Sequence, residues 1–306
     1  MKVSVLTLVR GRRDALINLM RSLAAQHYPP DELVIAWMQP APEPDLPETP
    51  FPVRHVIVEG EALPLARARN AAVAAARFEA LVFLDVDCIA SPPLVGRYRD
   101  ALARGPAIYL GEVHYLPANA LPANALPANA LSTNAGRDRR DGPLDWARLA
   151  ALGERHPARP AIADDEIRFD PDHGNLWGLS FALYREDHRR VGGMDEGYVG
   201  YGGEETDYAW RLAAAEVPLY WVGGALAWHQ HHPVYAPPWP HFEAIIANAR
   251  RFHRRWGRWC MAYWLGQFRD AGAIAWDERA ATLEILRYPS AAETAAARLP
   301  ASARYG

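Results

Sequence analysis

The feature that most constrains this chain is a regular alternation of strand-like and helix-like stretches along its first 84 residues. Val3-Ser4-Val5-Leu6-Thr7-Leu8-Val9 is a short β-branched run, and Leu16, Leu19, Met20 and Leu23 then recur at helical spacing. Residues 33–38 and 53–58 read as further strands, separated by a proline-rich loop from Pro40 to Pro52. Residues 65–76 are alanine-rich and favour a helix, and residues 80–84 form a fourth strand ending at Asp85. Parallel neighbours need a crossover, so this order predicts an α/β, Rossmann-like fold: a mostly parallel central sheet with helices on both faces. In such sheets ligands bind beyond the carboxyl ends of the strands, where Arg10 and Asp85 lie.

The chain has 306 residues and half of them are hydrophobic, enough for a large buried core. Its 33 basic and 36 acidic residues leave a formal charge of −3, which argues against nucleic acid as an obligatory partner. Cys88 and Cys260 are the only cysteines, too few for a disulfide framework and suited to a reducing compartment. The apolar N-terminal run is too short for a signal segment or a membrane span, so the expectation is a soluble cytoplasmic protein.

Residues 116–130 repeat Leu-Pro-Ala-Asn-Ala three times, and residues 131–135 resemble a decayed copy. A period of five is far below the roughly 20 residues of a solenoid unit, and its prolines block a regular helix. The stretch reads as an expansion tolerated in a surface loop; the competing reading is a flap after the strand expected over residues 107–113. Beyond Pro240 the pattern turns helical, with Phe242, Ile245, Ile246, Ala249, Phe252 and Trp256 on one stripe and Arg250, Arg251, Arg254 and Arg255 elsewhere. Residues 289–306 are alanine-rich with few large anchors and are expected to fray.

Four groups could carry chemistry. Asp85-Val86-Asp87 puts two carboxylates past a buried strand, where they could share a hard divalent cation and its diphosphate ligand or simply be solvated. Gly202-Gly203-Glu204-Glu205-Thr206-Asp207 brings acids into the first turn of a helix, favoured by the macrodipole, and one of them could serve as a general base. Trp228-His229-Gln230-His231-His232 sets imidazoles after the strand expected over residues 219–222, and imidazole binds Mn²⁺ alongside carboxylates. Arg10-Gly11-Arg12, with Arg67 and Arg69 further on, offers guanidinium groups for a diphosphate.

Taken in order, Asp85-Val86-Asp87, the segment Gly174-Asn175-Leu176-Trp177-Gly178-Leu179-Ser180-Phe181-Ala182, the glycine–acid cluster and His229 resemble GT-A-fold glycosyltransferases, especially glycosyltransferase family 2 and the galactosyl- and N-acetylgalactosaminyl-transferases. The resemblance implies a GT-A catalytic domain over residues 1–235 and a helical extension over residues 236–306. It implies a nucleotide-sugar donor, with a UDP-sugar favoured, and inverting transfer to a carbohydrate, lipid-linked or small-molecule hydroxyl with Mn²⁺ or Mg²⁺. Lipid acceptors would bring peripheral membrane contact. By resemblance Asp87 and His229 hold the metal, with Asp85 and His231 as further candidates. Arg10, Arg12, Arg69, Asp85, Asp87, Tyr201 and Gly203 face the donor. Glu204 holds acceptor hydroxyls and Glu205 is the base, although relatives carry aspartate there, and glutamate is one methylene longer.

Two other readings compete. A sugar nucleotidyltransferase shares the α/β layout but wants a glycine-rich, lysine-containing phosphate loop, and the sole lysine is Lys2. A non-catalytic carbohydrate- or nucleotide-binding protein would suit the 11 tryptophans and 13 tyrosines, but keeping both acid clusters and His229 counts against it.

Overall fold

A computed structural model of the chain describes residues 1–60, 62–121 and 143–305. The alternation is realised as β1 (Val3–Val9), α1 (Arg13–Ala24), β2 (Glu32–Trp37), β3 (Val53–Ile57), α2 (Leu65–Ala75), β4 (Ala80–Leu84), β5 (Cys88–Ala90), α3 (Leu94–Leu102) and β6 (Ile108–Tyr115). Then come α4 (Trp146–Leu152), β7 (Glu154–Arg155), β8 (Ile167–Asp170), β9 (Ser180–Tyr184), α5 (Arg185–Arg190), α6 (Glu204–Ala214) and β10 (Leu219–His229).

The main sheet runs β3-β2-β1-β4-β9-β6-β10-β5. β1 pairs in parallel with β2 and β4, β2 with β3, and β6 with β10. β9 runs antiparallel between β4 and β6, and β5 runs antiparallel on β10. Apolar side chains fill both faces. Leu16, Leu19 and Leu23 of α1 and Leu94, Tyr98 and Leu102 of α3 cover one, together with Val5 and Val82. Ala66, Ala72 and Val73 of α2 and Tyr208 and Leu212 of α6 cover the other, together with Leu6 and Phe83. The alanines of α2 let that helix lie close to the sheet, which brings its one buried cation, Arg69, toward the strand ends.

β10 is longer than its first four apolar residues suggest. Its register on β6 shifts between Val222 and Ala227, at Gly223 and Gly224, and the strand resumes to end at His229. A Cβ on Gly223 would meet the Ala163 carbonyl, so only glycine admits the neighbouring segment there.

The C-terminal part contains α7 (Phe242–Trp256), α8 (Ala262–Asp270), the paired β11 (Ile274–Ala275) and β12 (Glu284–Ile285), and α9 (Ala291–Ala296). Trp239, Phe242, Ile245, Leu265, Phe268 and Trp276 build a core of their own. The fraying expected of residues 289–306 is not seen over residues 289–305. Ser290 and Glu293 close a capping box on α9, Tyr235 bridges to Arg298, and Arg304 bonds the Tyr115 and Leu152 carbonyls. Polar ties replace the missing apolar anchors. Within the repeat, Leu116 and Ala120 are buried with Ile89, Leu149 and Trp228, whereas residues 122–135 lie outside the described residues. Among the described residues no helix is long and apolar enough to cross a membrane.

Candidate active site

β4 is wholly buried and delivers Asp85-Val86-Asp87 into a turn closed by the Cys88 amide on the Asp85 carbonyl, at 2.9 Å. The turn is pinned on both sides: the Asp85 amide donates to the Leu179 carbonyl at 2.9 Å and the Gln230 amide to the Asp87 carbonyl at 2.7 Å. Gln230 is itself held by Asn18 of α1, at 2.7 Å. Because β5 pairs with the end of β10, His229 lies opposite Cys88, next to Asp87.

Asp87, His229 and His232 each offer a ligand atom, and these atoms lie within 4.8 Å of one another. Burial and then the charge of Asp85 push the Asp87 carboxyl up to about 7, against which the Arg12 guanidinium, 3.4 Å away, acts only partly. Burial pushes His229 down to about 3 and lowers His232, so both imidazoles are held neutral. Neutral imidazoles beside a carboxylate short of positive charge fit a divalent cation of the Mn²⁺ type. His231 is not in this group; its surroundings include the backbone at Ala303. Arg10 is exposed at the end of β1.

The second centre forms where α2 meets the start of α6. Arg69 is buried and donates to Glu205 Oε1 at 2.9 Å and Glu204 Oε1 at 3.4 Å. Sequence reading set Arg69 beside the donor; the geometry brings it to the two glutamates, because α2 and α6 share one face of the sheet. Burial, then the neighbouring Glu205 charge, push Glu204 up to about 8 despite Arg69. The Glu204 side chain is 2 % exposed and that of Glu205 is 19 %, so Glu205 is the carboxylate open to a ligand. Gly203, with φ of 89°, turns the chain into α6.

The two centres are electrostatically continuous through Asp85. Burial raises its carboxyl, Arg69 and the Val86 backbone lower it, Glu205 raises it and His232 lowers it. Tyr201 is exposed, its ring stacked on His241 at 4.7 Å and 5.5 Å from Trp264. Sequence reasoning passed over several residues here. His232 was visible in the histidine run, but the turn after His229 that selects it over His231 was not. Trp177, whose ring lies 3.2 Å beneath the Arg159 guanidinium, belonged to a quoted segment without a role. His241 comes from the chain beyond residue 235.

The chain is similar to known proteins in sequence and in fold. Residues 158–232, from Ala158 through His232, match a family model described as the N-terminal domain of galactosyltransferase. Validoxylamine A glucosyltransferase of Streptomyces hygroscopicus subsp. jinggangensis (strain 5008) is 29% identical over 207 residues, covering 66% of this chain and 47% of the relative. The enzyme of the same name from Streptomyces hygroscopicus subsp. limoneus is 29% identical over the same share of this chain and 44% of its own. The chain thus spans about half the length of these curated relatives. Among solved structures, S. aureus TarS 1-349 superposes with a TM-score of 0.52 at 11% identity, covering 88% of this chain and 72% of that one. That likeness is one of fold: the chain has the mixed α/β architecture of GT-A glycosyltransferase structures.

Proposed function

We propose that the chain transfers a sugar from a nucleotide-sugar donor to an acceptor hydroxyl, with inversion and with a divalent metal. The observation that carries this reading is the pairing across Asp85 of a metal-type donor set, Asp87, His229 and His232, with one accessible carboxylate, Glu205. Residues 1–235 supply both centres, and residues 236–306 form the extension against them. A UDP-sugar is the favoured donor, on the galactosyltransferase-like acid cluster. The acceptor is a carbohydrate, a lipid-linked sugar or a small molecule, and the two cysteines, both free and buried, suit a cytoplasmic setting.

Glu205 accepts the acceptor hydroxyl proton, the oxygen attacks the anomeric carbon, and the bond to the nucleoside diphosphate breaks with its electron pair leaving on the diphosphate. Glu204 is unsuited as base because its side chain is 2 % exposed and closed to an acceptor, and burial favours its protonated form. Arg69 orients the Glu205 carboxylate, and Arg12 and Arg10 stand at the strand end where a diphosphate would lie. Asp87, His229 and His232 would hold the cation, which supplies charge neutralisation for the leaving diphosphate.

A thermal-shift screen of nucleotide sugars with and without Mn²⁺ tests the donor class, because a ligand that binds only the folded state raises the midpoint. Metal-dependent stabilisation by one donor is expected; no stabilisation by any of them defeats the reading. Glu205→Gln should then abolish transfer while leaving that stabilisation in place.

A further inference from the structure

We infer that Asn248 is a positioning residue for the acid pair: its carboxamide, carried on α7, sets the path of residues 199–203 and so the placement of Tyr201, Glu204 and Glu205. The inference rests on the transferase reading for the chemistry at Glu205, while the anchor itself is a matter of geometry.

The buried stripe of α7 is Phe242, Ile245, Ile246, Asn248, Ala249 and Phe252. Asn248 is its one polar member and is 2 % exposed. Asparagine is a poor helix former, and burying its amide is costly unless it is bonded. The bonds come from the glycine-rich segment: Asn248 Nδ2 lies 2.8 Å from the Gly202 carbonyl oxygen, 3.2 Å from that of Val199 and 3.5 Å from that of Tyr201. An amide nitrogen with two protons can serve at least two of these acceptors at once.

The segment needs an outside hold. Gly200, Gly202 and Gly203 have φ of 79°, 93° and 89°, a region that glycine enters at little steric cost but from which it also escapes readily. Gly203 caps α6 without a side-chain bond, and its carbonyl receives the Asp207 amide as the first helical bond, at 3.0 Å. Whatever fixes Gly202 therefore fixes the first turn of α6, where Glu204 and Glu205 stand. Contacts from beyond residue 235 leave little slack: a Cβ on Gly200 would lie 2.5 Å from Ala244 Cβ, and one on Gly202 2.5 Å from Met261 Sδ.

The flanks of the segment are tied to the same helix. Arg251 donates two hydrogen bonds to the Asp195 carboxylate, at 2.7 and 3.2 Å, and Arg255 reaches both Asp195 and the fully buried Asp207. These ions hold the ends; Asn248 holds the stretch that carries Tyr201 and leads into the acids.

The test compares the whole chain with Asn248→Ala, Asn248→Asp and Arg250→Ala. Asn248→Asp keeps the shape and removes the amide donor, which guards against a folding failure of the alanine variant. Arg250 bonds the Leu283 carbonyl, within the extension, and serves as the control for general loosening. Amide hydrogen exchange over residues 195–207, the melting temperature, and UDP release from UDP-glucose with Mn²⁺ are measured. Both Asn248 variants should raise exchange over residues 199–205 by about tenfold or more. They should lower kcat for UDP release by about 100-fold with little change in KM, as expected when a catalytic group is misplaced rather than lost. Arg250→Ala should lower the melting temperature without either effect. Unchanged exchange over residues 199–205 in both Asn248 variants overturns the inference, as does a fall in kcat no larger than that of Arg250→Ala. If the wild-type chain releases no UDP, the transferase reading suffers, and the exchange comparison alone decides the anchor.

Discussion

Gly178 and Glu205 are fitted to each other: a Cβ built on Gly178 would lie 2.4 Å from Glu205 Oε1 and 2.7 Å from its Cγ. Gly178 also has φ of 70°, so glycine is required there twice over. The length of a glutamate side chain at residue 205 is accommodated by the bare backbone at residue 178. Gly178→Ala should therefore displace the carboxylate from Arg69. We expect transfer to fall by about 100-fold, for a stability loss of about 2 kcal/mol. Steady-state kinetics alongside urea denaturation would separate the two effects, and an alanine variant with wild-type turnover would remove Glu205 from the role of base.

Among the described residues Arg69 is the only cation bonded to both glutamates, and it is buried, with Glu204 buried beside it and Glu205 partly open. Arg69→Met removes the charge and keeps much of the bulk. Removing one partner from a buried ionic group costs about 3 kcal/mol, because the other is left without compensation. Adding Glu205→Gln to that variant should recover part of the loss, since the stranded charge is gone. A double-mutant cycle in urea measures this directly, and additive losses would mean that the pair is not coupled.

The raised Glu204 carboxyl gives stability a specific pH dependence. Its pKa moves from 4.5 in the unfolded chain to about 8 in the folded one. Below the unfolded value both states are protonated and the contribution is complete. Between the two values the folded state keeps a proton that the unfolded state has released, so stability falls as pH rises, by up to about 1.4 kcal/mol per unit. Above the folded value the contribution is gone. Glu204→Gln should flatten this slope relative to wild type, seen as melting temperatures that converge toward acid pH and diverge in favour of the variant toward about pH 8.

Much of this was legible in the sequence, for identifiable reasons. β1, β4 and α2 are set by local pattern, and the first turn of α6 by its acids, so their ends fell within a residue or two of expectation. The acid clusters were visible because strand ends and glycine turns mark themselves locally. The choice of Arg69 for the glutamates, of His232 for the candidate metal group and of Asn248 for the loop depends on which faces meet across α2, α6 and α7. Helical periodicity says that a face is buried, not against what. The hold on residues 298–305 escaped notice because it is made by an arginine and backbone pairs, in a stretch with few apolar residues.

The histidine run offers the sharpest test of the metal reading, because sequence order treats His231 and His232 alike and the geometry does not. His232 lies with Asp87 and His229, whereas His231 lies outside that group. Mn²⁺ should stabilise the wild-type chain by about 2.7 kcal/mol when present at about 100 times its dissociation constant. Asp87→Ala and His229→Ala should abolish that stabilisation, His232→Ala should weaken it by about tenfold in affinity, and His231→Ala should leave it unchanged. Calorimetric titration of Mn²⁺ into the four variants reads these affinities. If His231→Ala weakens binding and His232→Ala does not, the ligand set must be redrawn around the chain beyond His229.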